Sequence, residues 1–212
     1  MTVDPRLVAL LLDLRGGGVT DVAVLNAIER TPRELFVPEA FRDRAYENAA
    51  LPIARHQTVS QPLVVGLMTQ ALNVGARHKV LEVGTGSGYH AAVLAQLCRR
   101  LYTMERFPDM FREAEARFQV LRLTNVTARA GDGTRGWPQQ APFDRILVAA
   151  AAEDIPQVLV DQLGPGGIMV LPVGDQAGEQ HIVRVRRTET GVEAEHLQPV
   201  RFVPLIEGDP AP

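Results

Sequence analysis

The sequence predicts an α/β fold: a doubly wound, mostly parallel sheet carrying an N-terminal helical cap and ending in a C-terminal antiparallel hairpin. Three observations lead there. From Lys79 onward, short apolar runs alternate with longer amphipathic segments, the pattern of successive βαβ units. A glycine-rich stretch, Leu81-Glu82-Val83-Gly84-Thr85-Gly86-Ser87-Gly88, joins the first such run to the helical segment that follows it. Beyond the last run the pattern changes to two strand-like segments separated by Glu189-Thr190-Gly191.

Taken in order, Pro5 to Leu14 is apolar at helical spacing and Gly16-Gly17-Gly18 stops it. Asp21 stands where a helix N-cap belongs, ahead of Val22 to Glu29. Thr31-Pro32-Arg33-Glu34-Leu35-Phe36-Val37-Pro38 reads as a turn-rich connection, and Pro62 suits the first turn of a helix through Val65, Met68 and Leu72. Strands are predicted at Lys79–Val83, Leu101–Glu105, Val126–Ala130, Arg145–Ala149 and Gly167–Pro172. Helices are predicted at Tyr89–Leu97, Pro108–Leu121 and Ile155–Leu163, so the parallel sheet is covered on both faces. Gln180–Arg187 and Val192–Ile206 pair as the terminal hairpin. The 212 residues hold no stretch polar or repetitive enough to link two cores. One domain is expected, with 1–78 as cap and loop, 79–175 as the ligand-binding core and 176–212 as the last strands.

Composition narrows the partners. Hydrophobic residues at 46% and charged residues at 22% suit a globular chain, neither disordered nor fibrous. A net charge of -3 with scattered arginines argues against nucleic acid, whose affinity rests on clustered Lys and Arg. The longest apolar runs, such as Leu7 to Leu12, fall far short of the ~20 residues of a spanning helix, and acidic Asp4 stands where a signal peptide is positive. A monomer in the cytoplasm, without membrane attachment, is expected. The single cysteine, Cys98, excludes an internal disulfide; four residues after Leu94, it reads as a small thiol on a buried helix face. The histidines (His56, His78, His90, His181, His196) are dispersed without ligand spacing, so no metal site is expected.

The chemistry concentrates at three strand ends. Gly84, Thr85, Gly86, Ser87 and Gly88 form a strand-to-helix turn whose backbone can bend tightly and approach a ligand. By itself such a turn also serves NAD or FAD, or is merely a turn. Glu105 ends the next strand, where a carboxylate accepts from both hydroxyls of a ribose; alternatively it is a solvated strand-end Glu paired with Arg106. Gly131-Asp132-Gly133 ends the third, where Asp132 can accept from an adenine amine and Gly133 leaves room for the ring; an Asp-Gly turn is the plainer reading. All three lie at the carboxyl edge of parallel strands, where open α/β sheets bind ligands. The set describes an adenosine site with no pyrophosphate cradle, which favours S-adenosyl-L-methionine over a dinucleotide.

Leu51-Pro52-Ile53, Gln57-Thr58-Val59-Ser60-Gln61-Pro62, the glycine stretch through Tyr89, Gly131-Asp132-Gly133 with Gly136-Trp137-Pro138, and Arg201-Phe202-Val203-Pro204-Leu205 together resemble the protein-L-isoaspartate O-methyltransferase family, from about Thr31 to Gly208. The resemblance implies the class I methyltransferase fold, which ends in such a hairpin, and S-adenosyl-L-methionine as cofactor. It implies methylation of the free α-carboxylate of L-isoaspartyl residues in damaged proteins, whose ester then collapses to a succinimide and so begins repair. Carried over by motif, Ser60 is the active-site hydroxyl, and Ile53, Thr58, Val59, Ser60, Val203 and Leu205 hold the substrate. One departure stands out: the family's Gly-x-Gly ahead of Gln57 is here Ala54-Arg55-His56.

A carboxylate with a pKa of about 4 is already ionised at neutral pH, so its methylation requires alignment and partial removal of water but no general base. Ser60 would then position by hydrogen bonding, or else only cap the helix begun by Pro62. His56 is read as a surface residue and Trp137 as a packing lid. Tyr89 and His90 line the methionine end or lie on the helix surface. The competing readings are another class I methyltransferase and a low-turnover module that recognises isoaspartyl sites.

Overall fold

The computed structural model describes residues 4–208. Helix α1 (Pro5–Gly16) begins where Asp4 accepts from Arg6 N–H, and α2 (Val22–Arg30) where Asp21 accepts from Ala23 and Val24 N–H. Their buried faces, Leu10, Leu14, Val24 and Ile28, pack with Phe36, Tyr89 and Val93, so the cap rests on the helix that follows the glycine loop. Two 3-10 turns, Arg33–Leu35 and Glu39–Arg44, make the turn-rich connection. A short antiparallel hairpin of β1 (Leu51–Pro52) and β2 (Thr58–Val59) leads into α3 (Pro62–Leu72). Strands of two residues are too short to show alternation, so this hairpin left no signal in the sequence.

The main sheet follows as β3 (Lys79–Val83), β4 (Arg100–Glu105), β5 (Val126–Ala130), β6 (Phe143–Val148), β7 (Leu163–Gly174), β8 (Gln180–Arg187) and β9 (Val192–Val200). Its order is β5-β4-β3-β6-β7-β8-β9, parallel through β7 and antiparallel thereafter. Alternate residues serve opposite layers. Val80, Leu147 and Val170 pack under α3, α4 (Tyr89–Ala95) and α5 (Pro108–Val120), whereas Leu81, Ile146 and Met169 face Trp137 and α6 (Gln157–Val160).

The doubly wound sheet and its antiparallel ending are as predicted, and three local expectations are corrected. The helix expected over Ile155–Leu163 is the single turn α6, because Leu163 pairs with Phe143 and the Gly- and Pro-rich stretch after it bulges into β7. The last strand stops at Val200 instead of continuing to Ile206. Buried Gln180 ends the ladder there by accepting from Phe202 N–H at 2.7 Å, and the chain turns across the sheet's carboxyl edge. Cys98 lies in the turn after α4, not on its face; it is buried, and burial pushes its thiol up to about 12. No helix among the described residues is long and apolar enough to cross a membrane.

Candidate active site

A cleft of about 400 Å³ opens at the carboxyl ends of β3, β4 and β6. One side is made by the glycine loop and Glu105, the other by residues 57–61 and the closing segment 199–206. Strand-to-helix geometry forces the loop's composition. Gly86 has φ +55, with nothing within 4 Å of where its Cβ would stand, so that side stays open; Gly88 has φ +90, and a Cβ there would meet the Phe118 ring at 2.8 Å. Thr85 and Ser87 turn inward: Thr85 Oγ1 lies 2.6 Å from Thr103 Oγ1, and Ser87 Oγ accepts from Tyr89 N–H at 3.3 Å. Beneath the loop, Thr103 Oγ1 donates to Glu82 Oε2 at 2.5 Å, and burial pushes that carboxyl up to about 8.

Glu105 is 5% exposed, which removes the solvated strand-end reading. Its Oε2 accepts from Gly86 N–H at 2.7 Å and its Oε1 from Phe107 N–H at 3.0 Å. Burial pushes the carboxyl above its ordinary range while these backbone donors pull it down. Arg106 N–H adds a third backbone donor to the carboxylate, and the residue lines the cleft, so it stands where a ribose diol can be held. Asp132 is placed differently. Its Oδ1 accepts from Thr134 N–H and Oγ1 at 2.9 and 2.7 Å, and its Oδ2 from Gly208 N–H at 2.9 Å. Burial works against its charge, but these donors hold the carboxyl below its ordinary range. Gly133, without side chain, forms the cleft wall at this strand end, and Asp132 braces the loop behind it.

On the opposite side Thr58, Val59 and Ser60 line the cleft together with Val203 and Leu205. The last two are fixed through the main chain: Ala151 N–H donates to Val203 O at 2.8 Å and Leu205 N–H to Ala151 O at 2.7 Å. Ser60 Oγ makes no hydrogen bond among the described residues. The α3 N-terminus is instead served by Asn48, whose Oδ1 accepts from Leu63 N–H at 3.0 Å while its carbonyl accepts from Gln61 Nε2 at 2.9 Å. The capping alternative for Ser60 therefore belongs to Asn48, a residue with no mark in the sequence to single it out. Ile53 stands apart from these, in a neighbouring recess of about 250 Å³ with Phe36, Pro38 and Met110.

Arg55 and His56 have φ +58 and +57, the left-handed region that favours glycine; of the two, His56 stands at a glycine position of the resembled family's Gly-x-Gly. Here the turn is tied down, since Arg55 Nε donates to Asp109 Oδ2 at 2.9 Å and its guanidinium lies 5.8 Å from the Phe107 ring centre. His56 is exposed. Tyr89 and His90 are buried in the cleft wall, not on the helix surface. His90 Nε2 lies 2.9 Å from Thr69 Oγ1, and burial holds the imidazole neutral, down to about 3. Trp137 packs edge-on against Tyr102 at 5.4 Å with the Arg129 guanidinium 4.9 Å from its ring centre, in the layer of Leu81 and Ile146.

The Protein-L-isoaspartate(D-aspartate) O-methyltransferase family model matches residues 6–209. A protein of Paramagnetospirillum magneticum named protein-L-isoaspartate O-methyltransferase is 64% identical over 98% of this chain and 97% of its own length. A solved structure of the same name superposes with a TM-score of 0.85 at 24% identity, over 93% of this chain and 65% of that one. One from Plasmodium falciparum, a putative enzyme of that name in complex with S-adenosyl-L-homocysteine, gives 0.81 at 22%, over 93% of this chain and 97% of that one. At such identities the two structures establish the class I methyltransferase fold. With the family model spanning nearly all the described residues and so similar a relative end to end, the chain belongs to the protein-L-isoaspartate(D-aspartate) O-methyltransferase family.

Proposed function

We propose that this protein transfers a methyl group from S-adenosyl-L-methionine to the free α-carboxylate of L-isoaspartyl residues in damaged proteins, the step that opens repair through a succinimide. The observation that carries this reading is one cleft in which Glu105 and the open face of Gly86 stand across from Ser60, Val203 and Leu205. The bound cofactor supplies an electrophilic methyl group on its sulfonium. Glu105 holds the ribose hydroxyls, Gly84 to Gly88 hold the adjacent backbone edge, and Gly133 makes room for the adenine ring, with Asp132 bracing its loop. Ser60, whose hydroxyl has no competing protein partner, aligns the acceptor carboxylate.

No side chain is needed to take a proton, because the acceptor is already ionised. His90, nearest in type to a general base, is held neutral by burial and engaged with Thr69. Thr58, Val59, Val203 and Leu205 form the walls for the substrate backbone, and Ile53 lies beyond them in the recess, suited to a flanking side chain. The partners are isoaspartyl peptides and proteins. We read the chain as one methyltransferase domain acting as a cytoplasmic monomer, without nucleic acid or membrane, on the strength of its -3 charge and its lack of clustered cations.

The decisive experiment is steady-state turnover, followed by radiolabelled methyl transfer, on an isoaspartyl peptide beside its normal aspartyl counterpart. Methylation confined to the isoaspartyl form is expected. Equal methylation of both, or of neither, would refute the substrate assignment.

A further inference from the structure

Arg33 is the bulkiest of the fully buried side chains, with 0% of its surface exposed. All three arms of its guanidinium are used: Nε donates to Ala45 O at 2.8 Å, Nη1 to Ser60 O at 3.0 Å and Nη2 to Ala49 O at 2.9 Å. The Tyr89 ring centre lies 5.0 Å from its Cζ, and Tyr89 is itself part of the cleft wall. These partners engage each of its three nitrogens but bring no opposite charge. No carboxylate lies within ion-pair distance of Arg33 among the described residues. An uncompensated buried cation is strongly unfavourable, and such charges are normally paired or found where an anion is to be bound.

Its position supplies the anion. Ser60, whose carbonyl it holds, and Tyr89, whose ring it faces, both line the cleft. Arg201, which also lines the cleft, is exposed and donates to the carbonyls of Gly178 and Gln176, so water screens its charge. Arg33 acts through protein, where screening is weak. Its planar fork also matches the three carbonyls of Ala45, Ala49 and Ser60, which a lysine ammonium does not.

We propose that Arg33 is a positioning residue for the methyl acceptor, locking the Ser60 main chain in place and supplying the positive potential that selects an ionised α-carboxylate in the cleft. This rests on the reading of the Ser60 wall as the carboxylate end of the site. Substrate preference for a charged acceptor then originates one layer behind the residues that touch it.

The test uses full-length protein saturated with S-adenosylhomocysteine and two peptides, one carrying L-isoaspartate and one carrying its neutral α-carboxamide isostere. The parent is expected to favour the carboxylate. Arg33→Gln is expected to reduce that preference by about tenfold while S-adenosylhomocysteine affinity stays within about twofold. Arg33→Lys keeps the charge and loses the fork, so it should retain the affinity preference and, in a separate assay with S-adenosylmethionine in place of S-adenosylhomocysteine, lower kcat. An Arg33→Gln variant that keeps the full preference overturns the proposal. If that variant does not fold, Arg33→Lys decides alone, and equal affinity of the lysine variant for the two peptides overturns it. A parent that fails to methylate the isoaspartyl peptide defeats the reading of the site; a parent that does, with the glutamine variant unchanged, defeats only the role of Arg33.

Discussion

Glu105→Ala separates the two duties of one carboxylate. In the protein without cofactor, the change strips the acceptors from Gly86 N–H and Phe107 N–H, now held at 2.7 and 3.0 Å in a site 5% exposed. Each buried donor left unpaired costs about 1–3 kcal/mol. Water entering through the adjoining cleft recovers part of this, so a net loss of about 2–3 kcal/mol in urea unfolding is expected. Cofactor binding loses, in addition, charge-assisted hydrogen bonds to the ribose worth about 1.5–3 kcal/mol, so the Kd for S-adenosylhomocysteine should rise about tenfold to a hundredfold by calorimetry. Glu105→Gln is the control: its carbonyl serves one N–H while its amide faces the other donor, giving an intermediate loss in both measurements. An alanine variant binding S-adenosylhomocysteine as tightly as the parent would refute the ribose assignment, whatever its stability.

Three further outcomes follow from the geometry. Ser60→Ala should lower isoaspartyl methylation about tenfold to a hundredfold with unchanged thermal unfolding, since its hydroxyl bonds nothing in the protein and Asn48 caps α3; unchanged turnover would end its assignment. Truncation after Arg201 removes the bonds of Leu205 and Gly208 to Ala151 and Asp132, so methylation should vanish while circular dichroism and cofactor binding persist; an active truncation refutes the closing segment's role. Burial raises Glu82 from an ordinary 4.5 to about 8, so between those values the folded state keeps a proton the unfolded chain has released. Stability present below pH 4.5 is therefore lost as pH rises toward 8, and Glu82→Gln should flatten that slope in urea titrations; an unaltered slope would count against it.

The elements that were readable in the sequence are those whose signal is local. The glycine turn, the Asp21 cap, the Pro62 helix start and the alternating runs of β3 to β6 each show within a few neighbours. What stayed hidden depends on partners distant along the chain. Asn48 caps a helix from 15 positions away, and Arg33 holds Ser60 from 27. A charged residue in a turn-rich stretch reads as solvated, so burial of Arg33 had no sign in the sequence. Leu159, Val160 and Leu163 have helical spacing, yet edge pairing with Phe143 draws Leu163 into β7. The neighbours of Asp132 suggested an open turn, and only the chain's return to Gly208 occupies its second oxygen.

The closing segment also orders events in time. It is anchored to Ala151, Gln180, Asp132 and Arg106, four separate points, and every one of them precedes it in the chain. A ribosome adding roughly 5–20 residues per second delivers all seven strands of the main sheet before it. The cofactor half of the cleft is thus assembled from earlier-made parts, and the substrate half is completed last. On the proposed reading of the two halves, a nascent chain at that stage holds the methyl-donor side of the cleft and still lacks the wall for a damaged protein.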